Sequence, residues 1–432
     1  MDASHRHPAA GDADTAVTVL ANGVRVVAVR EPHLETASAS VFVRSGSQHE
    51  SKRANGISHV VEHMAFKGTE TRDCQQINLD AERLGADVNA HTDKDHTAFH
   101  MSGLARDAAA FVRMLGDIVR HPTFPDAELE RERQVLLHEL TEDEDDALST
   151  AYKLFDELCY GEHPVAQPVI GTRRNIERFT RAELLGYVRR QYTGANLVVG
   201  VAGRIDPDAV LRAAEAAFGT MARGEENTVP APAYTGGSGA RRQTGFSQTH
   251  VVLGFPLPGR GVDDARSAVA AALFGEGMSS PLMDEIRERR GLAYYAACSA
   301  DMTDVCGQFV VEATTVPEHL EEFFTEVTRL LALHAERVDP VGLERARNQV
   351  SVRLLRARER PLRRLEDAAQ DLFVLGRVRS RGEALDAVQA VGAAEVRAAF
   401  ERMLAMRPAV AIAGRIGKAT FERLKERLPA LR

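Results

Sequence analysis

The sequence predicts an α+β protein of two homologous domains, each a mixed, mostly antiparallel β-sheet packed with α-helices. The chain has 432 residues, which is more than a single hydrophobic core usually supports. Runs rich in β-branched residues alternate with long helical patterns, which is typical of sheets covered by helices. The segment VVGVAGRI at 198–205 is repeated as AVAIAGRI at 409–416, about half the chain further on. We therefore expect an internal duplication.

The composition is that of a globular protein, with 44% hydrophobic and 27% charged residues. A formal net charge of -8 argues against nucleic-acid binding, which usually requires a basic surface. The N-terminal residues lack the pattern of a secretory signal, and no apolar run reaches the roughly 20 residues that span a membrane. The four cysteines lack metal or redox spacing and suit a reducing compartment. These features predict a cytoplasmic protein without nucleic-acid or membrane partners.

The first elements of the chain predict a hairpin followed by a third strand. Residues 1–15 are mostly polar, and we expect them to form a disordered N-terminal tail. An Asn-Gly dipeptide separates β-rich runs at 17–20 and 24–29, which is a strong hairpin signal. Alternating side chains over 38–43 predict the third strand.

Helical patterns dominate the next part of the chain. Apolar residues at helical spacing predict a helix over 111–119, and a second helix is expected over 125–145 because proline favours the first turn. Residues 180–183 fit a capping box at the start of a further helix. A buried strand at 196–202 and a helix over 206–219 complete this half.

Residues 222–245 are rich in glycine, proline and polar residues and predict a linker. The linker separates a first domain at 16–221 from a second domain at 246–432. The second domain repeats the element order of the first. Its predicted elements are a strand at 249–255, a helix from about Asp263, a hairpin across 293–314, and helices from Pro317 and Pro340 with a kink at Pro361.

The segment His59-Val60-Val61-Glu62-His63 predicts a metal site. On a helix, His59 and His63 lie one turn apart on one face, so two imidazoles can bind one ion. Glu62 lies at the same edge and is the candidate general base that contacts a water. The alternative is a surface helix with two solvated histidines, but the pentapeptide is a motif with a catalytic mechanism.

A catalytic zinc site needs a third protein ligand and one open position. The acidic helix expected over 125–145 offers several carboxylates for this role. The spacing alone does not choose among Glu128, Glu130, Glu132, Glu139 and Glu142.

A second group of histidines lies in the segment NAHTDKDHTAFHM, which predicts two strands joined by a turn at 93–95. These histidines are His91, His96 and His100. Spacings of five and four do not place three rings on one face of a strand. We therefore expect ordinary strand and turn residues without a metal role.

Residues 55–72, NGISHVVEHMAFKGTETR, closely resemble the inverted-motif zinc peptidases of the insulinase, pitrilysin and mitochondrial processing peptidase family, M16. The family has its third ligand, a glutamate, 76 positions after the second histidine, and that position here is Glu139. The resemblance therefore implies one zinc ion per chain, bound by His59, His63 and Glu139. It also implies that Glu132 orients a ligand histidine from behind.

The second half resembles the metal-free domain of that family. In GEGMSSPLMDEIRERRGLAYY at 275–295, Arg287 and Tyr294 match an arginine and a tyrosine that bond the substrate backbone in the family. The segment NAHTDKDHT resembles the edge strand that takes up substrate as an added strand, with Asn89 and Ala90 at the contact. Without the resemblance, Arg287 and Tyr294 would be read as a surface cation and a packed aromatic.

The resemblance covers about residues 17–430 and implies a zinc metalloendopeptidase that cleaves peptides or small unfolded polypeptides inside a chamber. Two domains per chain, as in the small bacterial members, imply that a dimer forms this chamber, either of two copies or with a related chain. Two alternatives stay open: a dedicated leader or maturation peptidase for a ribosomally made peptide, and a non-catalytic partner subunit. Such subunits typically lose ligand residues, which are all present here.

Overall fold

The computed structural model describes residues 5–8, 12–243 and 245–427. Its strands are β1 (His5–Pro8), β2 (Thr15–Val19), β3 (Arg25–Arg30), β4 (Thr36–Val43), β5 (Asp87–Thr92), β6 (Thr97–Leu104), β7 (Leu197–Gly203), β8 (Gly237–Arg242), β9 (Thr249–Leu257), β10 (Tyr295–Met302), β11 (Gly307–Thr315) and β12 (Ala409–Gly414).

The helices are α1 (Ile57–Ala65), α2 (Cys74–Arg83), α3 (Ala108–Arg120), α4 (Asp126–Asp145), α5 (Ala147–Tyr160), α6 (Arg173–Arg178), α7 (Arg181–Gln191), α8 (Pro207–Phe218), α9 (Asp264–Gly275), α10 (Leu320–Glu336), α11 (Pro340–Arg358), α12 (Pro361–Leu375), α13 (Arg381–Ala390), α14 (Ala393–Ala405) and α15 (Lys418–Arg427). A π-helical segment spans Met283–Arg289. None of the helices in the described ranges combines the length and apolar content needed to cross a bilayer.

The first sheet is mixed, with the strand order β1-β2-β3-β7-β4-β6-β5. β3 and β7 run parallel, and the other neighbouring strands are antiparallel. β5 lies at one edge of this sheet and contacts α1. The predicted hairpin, the third strand and the strand at 196–202 correspond to β2, β3, β4 and β7. The edge formed by β5 is where the candidate site lies.

The second sheet has the order β10-β11-β9-β12-β8 and repeats the topology of the first. β12 runs parallel to β8 and antiparallel to β9, as β7 runs parallel to β3 and antiparallel to β4. The repeated segments at 198–205 and 409–416 contribute β7 and β12, which hold equivalent places in the two sheets. The prediction of two homologous α+β domains with mixed, mostly antiparallel sheets is therefore confirmed.

The chain forms two compact units whose ranges differ from a simple cut at the linker. The first unit comprises the residues up to 140, 167–229 and 356–381, and the second comprises 141–166, 230–355 and the residues from 382. The predicted domains at 16–221 and 246–432 thus assign α5 and α12 differently from the structure. The two halves of the chain exchange one helix each.

Apolar side chains on both faces of each sheet explain this exchange. In the first sheet, Val27 and Val29 face away from α1 and pack with Leu365, Leu372 and Phe373 of α12. Burying one such side chain contributes about 1.5–3 kcal/mol, so an uncovered face would be unstable. In the second unit, α5 packs on one face of its sheet in the same way.

Two predicted loops contain strands. The linker at 222–245 includes β8, because pairing with the buried β12 satisfies backbone groups that its glycine-rich sequence does not signal. The expected disordered tail at 1–15 includes β1, which pairs with β2, and Thr15, which begins β2. Residues 1–4 and 9–11 of that predicted tail lie outside the described residues. The expected kink at Pro361 is a break, since this proline begins α12 after α11 has ended.

Candidate metal centre

The start of α1 is fixed by its backbone geometry and by a buried carboxylate. Gly56 precedes the helix with a φ of 96°, which favours glycine, and a Cβ added there would lie 2.8 Å from Gly171 Cα. The buried side chain of Glu50 accepts hydrogen bonds from the backbone N–H groups of Gly56 (2.7 Å) and Ser58 (2.8 Å). A carboxylate at a helix N-terminus is favourable. These contacts hold the orientation of the helix that carries both motif histidines.

His59 and His63 of α1 and Glu139 of α4 converge on one point. The two imidazole centroids lie 4.6 Å apart. Glu139 Oε2 lies 3.8 Å from His59 Nε2 and 3.4 Å from His63 Nε2. All three ligand atoms lie within 4.8 Å of one another, and tetrahedral zinc ligands are typically about 3.4 Å apart. Two imidazoles and one carboxylate thus fit a zinc ion and leave one coordination position open.

Glu132 supports this arrangement from behind His63. Its Oε1 accepts a hydrogen bond from His63 Nδ1 at 3.0 Å, and its Oε2 accepts one from Lys67 Nζ at 2.7 Å. Glu132 is only 8% exposed, and although burial opposes it, bonds from His63 and Lys67 lower the pKa of Glu132. With Nδ1 bonded to Glu132, the Nε2 atom of His63 faces Glu139. Lys67 was not predicted from the sequence, although it lies four residues after His63.

Replacing Glu132 with glutamine should weaken zinc binding by about 10–100-fold, because the amide supports the His63 imidazole less strongly than a carboxylate does. Competition with a chromophoric chelator at fixed pH measures the dissociation constant. Glu128→Gln is the matched control, since Glu128 lies on the same helix and pairs with Arg131. Equal zinc affinity in the Glu132 variant and the wild type would show that Glu132 does not support the ligand.

Burial keeps the His59 ring neutral, as a metal ligand must be. Desolvation and the neighbouring His63 lower the pKa of His59 to about 4. Among the described residues, His59 Nδ1 has no hydrogen-bond partner, so the two histidines differ in their support. For His63 burial acts in the same direction, but the bond to Glu132 and the charges of Glu139 and Glu62 outweigh it and raise the pKa of His63.

Glu62 lies beside the three ligands and is held by the edge strand. Thr92 Oγ1 of β5 donates a 2.6 Å hydrogen bond to Glu62 Oε2. Burial, assisted by the charge of Glu139, raises the pKa of Glu62 above the ordinary value of a glutamate. A carboxylate with a raised pKa is a stronger proton acceptor near neutral pH. Thr92 was missed by sequence reasoning, although it lies within the segment in which Asn89 and Ala90 were identified.

Asn89 and Ala90 lie on β5, at the open edge of the first sheet. The side chain of Asn89 is exposed, and its Oδ1 accepts a 2.8 Å hydrogen bond from the backbone N–H of Ala90. β5 pairs on its other side with β6, where Phe99 is the partner of Ala90. The edge of β5 is therefore available for an added strand beside Glu62.

Arg287 and Tyr294 belong to the second unit. Arg287 lies in the π-helical segment, its side chain is 39% exposed, and its Nε lies 3.7 Å from Glu288 Oε1. Tyr294 is 79% exposed, and its backbone N–H donates to Thr314 O at 3.0 Å. The aromatic side chain of Tyr294 is thus displayed on the surface rather than packed in the core.

The second histidine group differs from expectation. The ring centroids of His91 and His96 lie 5.5 Å apart, and those of His91 and His100 lie 5.8 Å apart. The prediction concerned one face of a single strand, whereas these rings come from two strands and the turn that joins them. The hairpin of β5 and β6 folds them together, with Asn89 opposite His100.

Comparisons with known proteins identify the family to which the chain belongs. A sequence model of the insulinase family, peptidase family M16, matches residues 25–173, and a model of the peptidase M16 inactive domain matches residues 178–350. An uncharacterized zinc protease of Mycobacterium tuberculosis is 33% identical over 411 residues, which cover 92% of this chain and 92% of that protein. An uncharacterized zinc protease of Rickettsia felis is 29% identical over 363 residues, covering 84% of this chain and 88% of that protein.

A solved structure of a protease from Helicobacter pylori has the same fold. The two structures superpose with a TM-score of 0.86 at 19% sequence identity. The match covers 93% of this chain and 99% of the other.

Proposed function

Since the chain belongs to the insulinase family of zinc peptidases, M16, we propose that it is a zinc metalloendopeptidase that hydrolyses peptides or small unfolded polypeptides. The observation that carries the proposal is the convergence of His59, His63 and Glu139 within 4.8 Å, with Glu62 beside them. A non-catalytic subunit would not require these three ligands and Glu62, nor the hydrogen bond by which Glu132 supports His63.

The chemistry divides between the metal and the side chains around it. When bound, zinc lowers the pKa of a water and polarises the peptide carbonyl as a Lewis acid. Glu62 accepts the proton of the attacking water and then delivers it to the leaving amine. Thr92 holds the Glu62 carboxylate in one orientation through its 2.6 Å hydrogen bond. Because burial raises the pKa of Glu62, its carboxylate accepts a proton more readily than an exposed glutamate does.

The edge of β5 supports binding of the substrate as an added strand. A peptide that pairs with this edge forms hydrogen bonds through its backbone. The interaction therefore selects peptides that can adopt an extended conformation more than it selects particular side chains. In the free protein Asn89 Oδ1 accepts a hydrogen bond from the backbone N–H of Ala90. Rotation of the Asn89 side chain would free this N–H to donate to the substrate backbone. Thr92 of the same strand donates a hydrogen bond to Glu62. The strand that binds the substrate therefore also positions the proton acceptor.

Arg287 and Tyr294 are proposed to complete the site from a second chain. The 79% exposure of Tyr294 supports a role for its hydroxyl outside its own core. By analogy with the family, the second domain of one chain faces the zinc domain of its dimer partner. Arg287 would then hold a substrate carbonyl, and Tyr294 would donate to the oxygen that gains negative charge during attack.

Mixed dimers test this arrangement. Equimolar Glu62→Gln and Tyr294→Phe chains should recover roughly a quarter of wild-type activity after random exchange, because half of the dimers are mixed and each holds one intact site. Each variant alone supplies the baseline, and Tyr295→Phe is the matched control at a neighbouring exposed tyrosine. Activity that stays at the baseline in verified mixed dimers would refute action across the interface.

The proposed activity itself is tested by peptide cleavage. Purified protein loaded with zinc is incubated with a library of internally quenched peptides, and the products are identified by mass spectrometry. Endoproteolytic products that require zinc and Glu62 support the proposal. A full zinc complement without cleavage of any peptide or unfolded polypeptide would favour a non-catalytic subunit. Cleavage of a single precursor at one junction would favour the maturation peptidase.

The cellular location and the binding partners stay predictions. In the structure none of the four cysteines forms a disulfide bond, which suits the reducing cytoplasm that we propose. The net charge of -8 supports a peptide partner rather than a nucleic acid. Whether the dimer is formed by two copies or with a related chain is answered by the mass of the native particle.

A further inference from the structure

A second cluster of ligand atoms lies on the face of the β5–β6 hairpin opposite Glu62. Thr92 of β5 bonds Glu62, and His91 points to the other face because successive strand residues alternate. On that face a cavity of about 500 Å³ lies between the sheet and the start of α12. It is lined by residues that include Ser38, Ser40, Phe42, His91, His100, Glu359 and Glu366.

His91, His96 and Glu366 meet beside this cavity. One ligand atom from each residue lies within 4.8 Å of the other two. The three ligands of the candidate peptidase centre also lie within this distance of one another. His96 Nε2 lies 3.8 Å from Glu366 Oε1. The other oxygen of Glu366 is bound by Arg363 Nη1 at 2.9 Å, so the two carboxylate oxygens face different groups.

A separate observation concerns the buried ring of His96. Its side chain is 2% exposed, and its Nε2 has no hydrogen-bond partner among the described residues. Its Nδ1 bonds Asp95 Oδ1 at 2.6 Å. A carboxylate at Nδ1 is the usual support of a metal-ligating histidine, because it fixes the tautomer that directs Nε2 at the ion. Glu132 plays this part for His63. A buried ring nitrogen without a partner is uncommon, and a bound ion is one of the groups that can supply the partner.

We propose that His91, His96 and Glu366 bind a second divalent cation of the zinc class, separate from the peptidase centre. Two imidazoles and a carboxylate are the donor set that zinc and its neighbours among the transition metals prefer. The cavity beside the three ligands provides room for water in the remaining coordination positions. The ion would give His96 Nε2 the partner that it lacks.

The cation would link two distant parts of the chain. Glu366 lies on α12, whereas His91 and His96 belong to the β5–β6 hairpin. α12 already covers this face of the first sheet through apolar contacts, and a metal bridge would add a directional link in its second turn. The same hairpin carries the proposed substrate edge. The second cation would therefore stabilise the position of the strand that is proposed to bind the peptide.

Metal counting tests the proposal without any measurement of activity. Full-length protein is stripped with a chelator, titrated with Zn²⁺, freed of unbound metal and measured by elemental mass spectrometry. Wild type should bind two equivalents and Glu366→Gln one. The dissociation constant of the lost equivalent should rise more than about tenfold, since even residues behind a ligand alter affinity by that much. Glu359→Gln, which removes a neighbouring charge from the same cavity, should keep two equivalents.

A second background identifies which ion is lost. His63→Ala should retain one equivalent, and His63→Ala with Glu366→Gln should retain none. Thermal unfolding gives an independent readout, because the second equivalent should raise Tm in wild type but not in Glu366→Gln. A single equivalent in wild type would overturn the proposal and show that His96 and Glu366 form only an ion pair. Two equivalents in Glu366→Gln would also overturn it and assign the second zinc to an adventitious surface site.

Discussion

Replacing Glu62 with glutamine is expected to lower kcat by about 10²–10⁴-fold while the protein keeps its zinc. The amide has the shape of the carboxylate and can still accept the hydrogen bond from Thr92, so the local structure should persist. It cannot accept the proton of the attacking water. Because Glu62 is not among the three converging ligands, metal binding should change little.

The loss is measured as initial rates on a quenched peptide, with zinc content determined on the same samples. Glu70→Gln is the matched control, since this glutamate follows α1 and its side chain is 71% exposed. Its rate and zinc content should equal those of wild type. A Glu62→Gln protein that cleaves peptides at the wild-type rate would remove this residue from the mechanism.

Replacing His63 or Glu139 with alanine is expected to empty the peptidase centre of zinc and to lower kcat/KM by at least about 10³-fold. Each substitution leaves two protein ligands, which is too few for a catalytic zinc site. The lost metal takes with it several kcal/mol of transition-state stabilisation. Unlike Glu62→Gln, these variants should therefore lose metal and activity together.

Chelation offers the reversible form of the same test. Treatment of wild type with 1,10-phenanthroline should abolish cleavage, and added zinc should restore it. Glu142→Ala is the matched control for the Glu139 variant, because it removes an exposed carboxylate from the same helix. If Glu139→Ala bound as much zinc as Glu142→Ala, then Glu139 would not be the third ligand.

Most of the secondary structure could be predicted because local signals and tertiary packing agree. The Asn-Gly turn joins β2 and β3, and Thr180 and Glu183 form the expected capping box at α7. The long acidic segment after Pro125 forms α4 as predicted. The repeat at 198–205 and 409–416 was the most informative signal, because it marked strands that hold equivalent places in both sheets.

The exceptions depend on contacts between residues distant in sequence. β8 has the weak strand sequence GSGARR and is stabilised by its parallel neighbour β12, which lies far along the chain. Its counterpart β3 could have indicated it through the internal repeat. The exchange of α5 and α12 follows from the sheet face that each helix covers. The apolar stripe of a helix predicts that the helix is packed against something, but it does not predict which sheet that is.

Some residues of the site could be predicted from the sequence, and others could not. The i, i+4 histidines follow from helix geometry, but Glu139 was selected among several glutamates only through the family spacing. The support of Glu62 by Thr92 was not predicted, since it joins α1 to an edge strand. The meeting of His96 with Glu366 was also missed, because it requires a hairpin and a helix that returns from the other half of the chain.

The central claim is that the two histidines of α1 and Glu139 of α4 bind one zinc ion beside Glu62. Anomalous diffraction on crystals of the full-length protein with zinc, recorded above and below the zinc absorption edge, tests it most directly. We expect a peak at about 2.0–2.2 Å from His59 Nε2, His63 Nε2 and a carboxylate oxygen of Glu139. Zinc-saturated crystals with no peak there, and with Glu139 turned away from both rings, would contradict it.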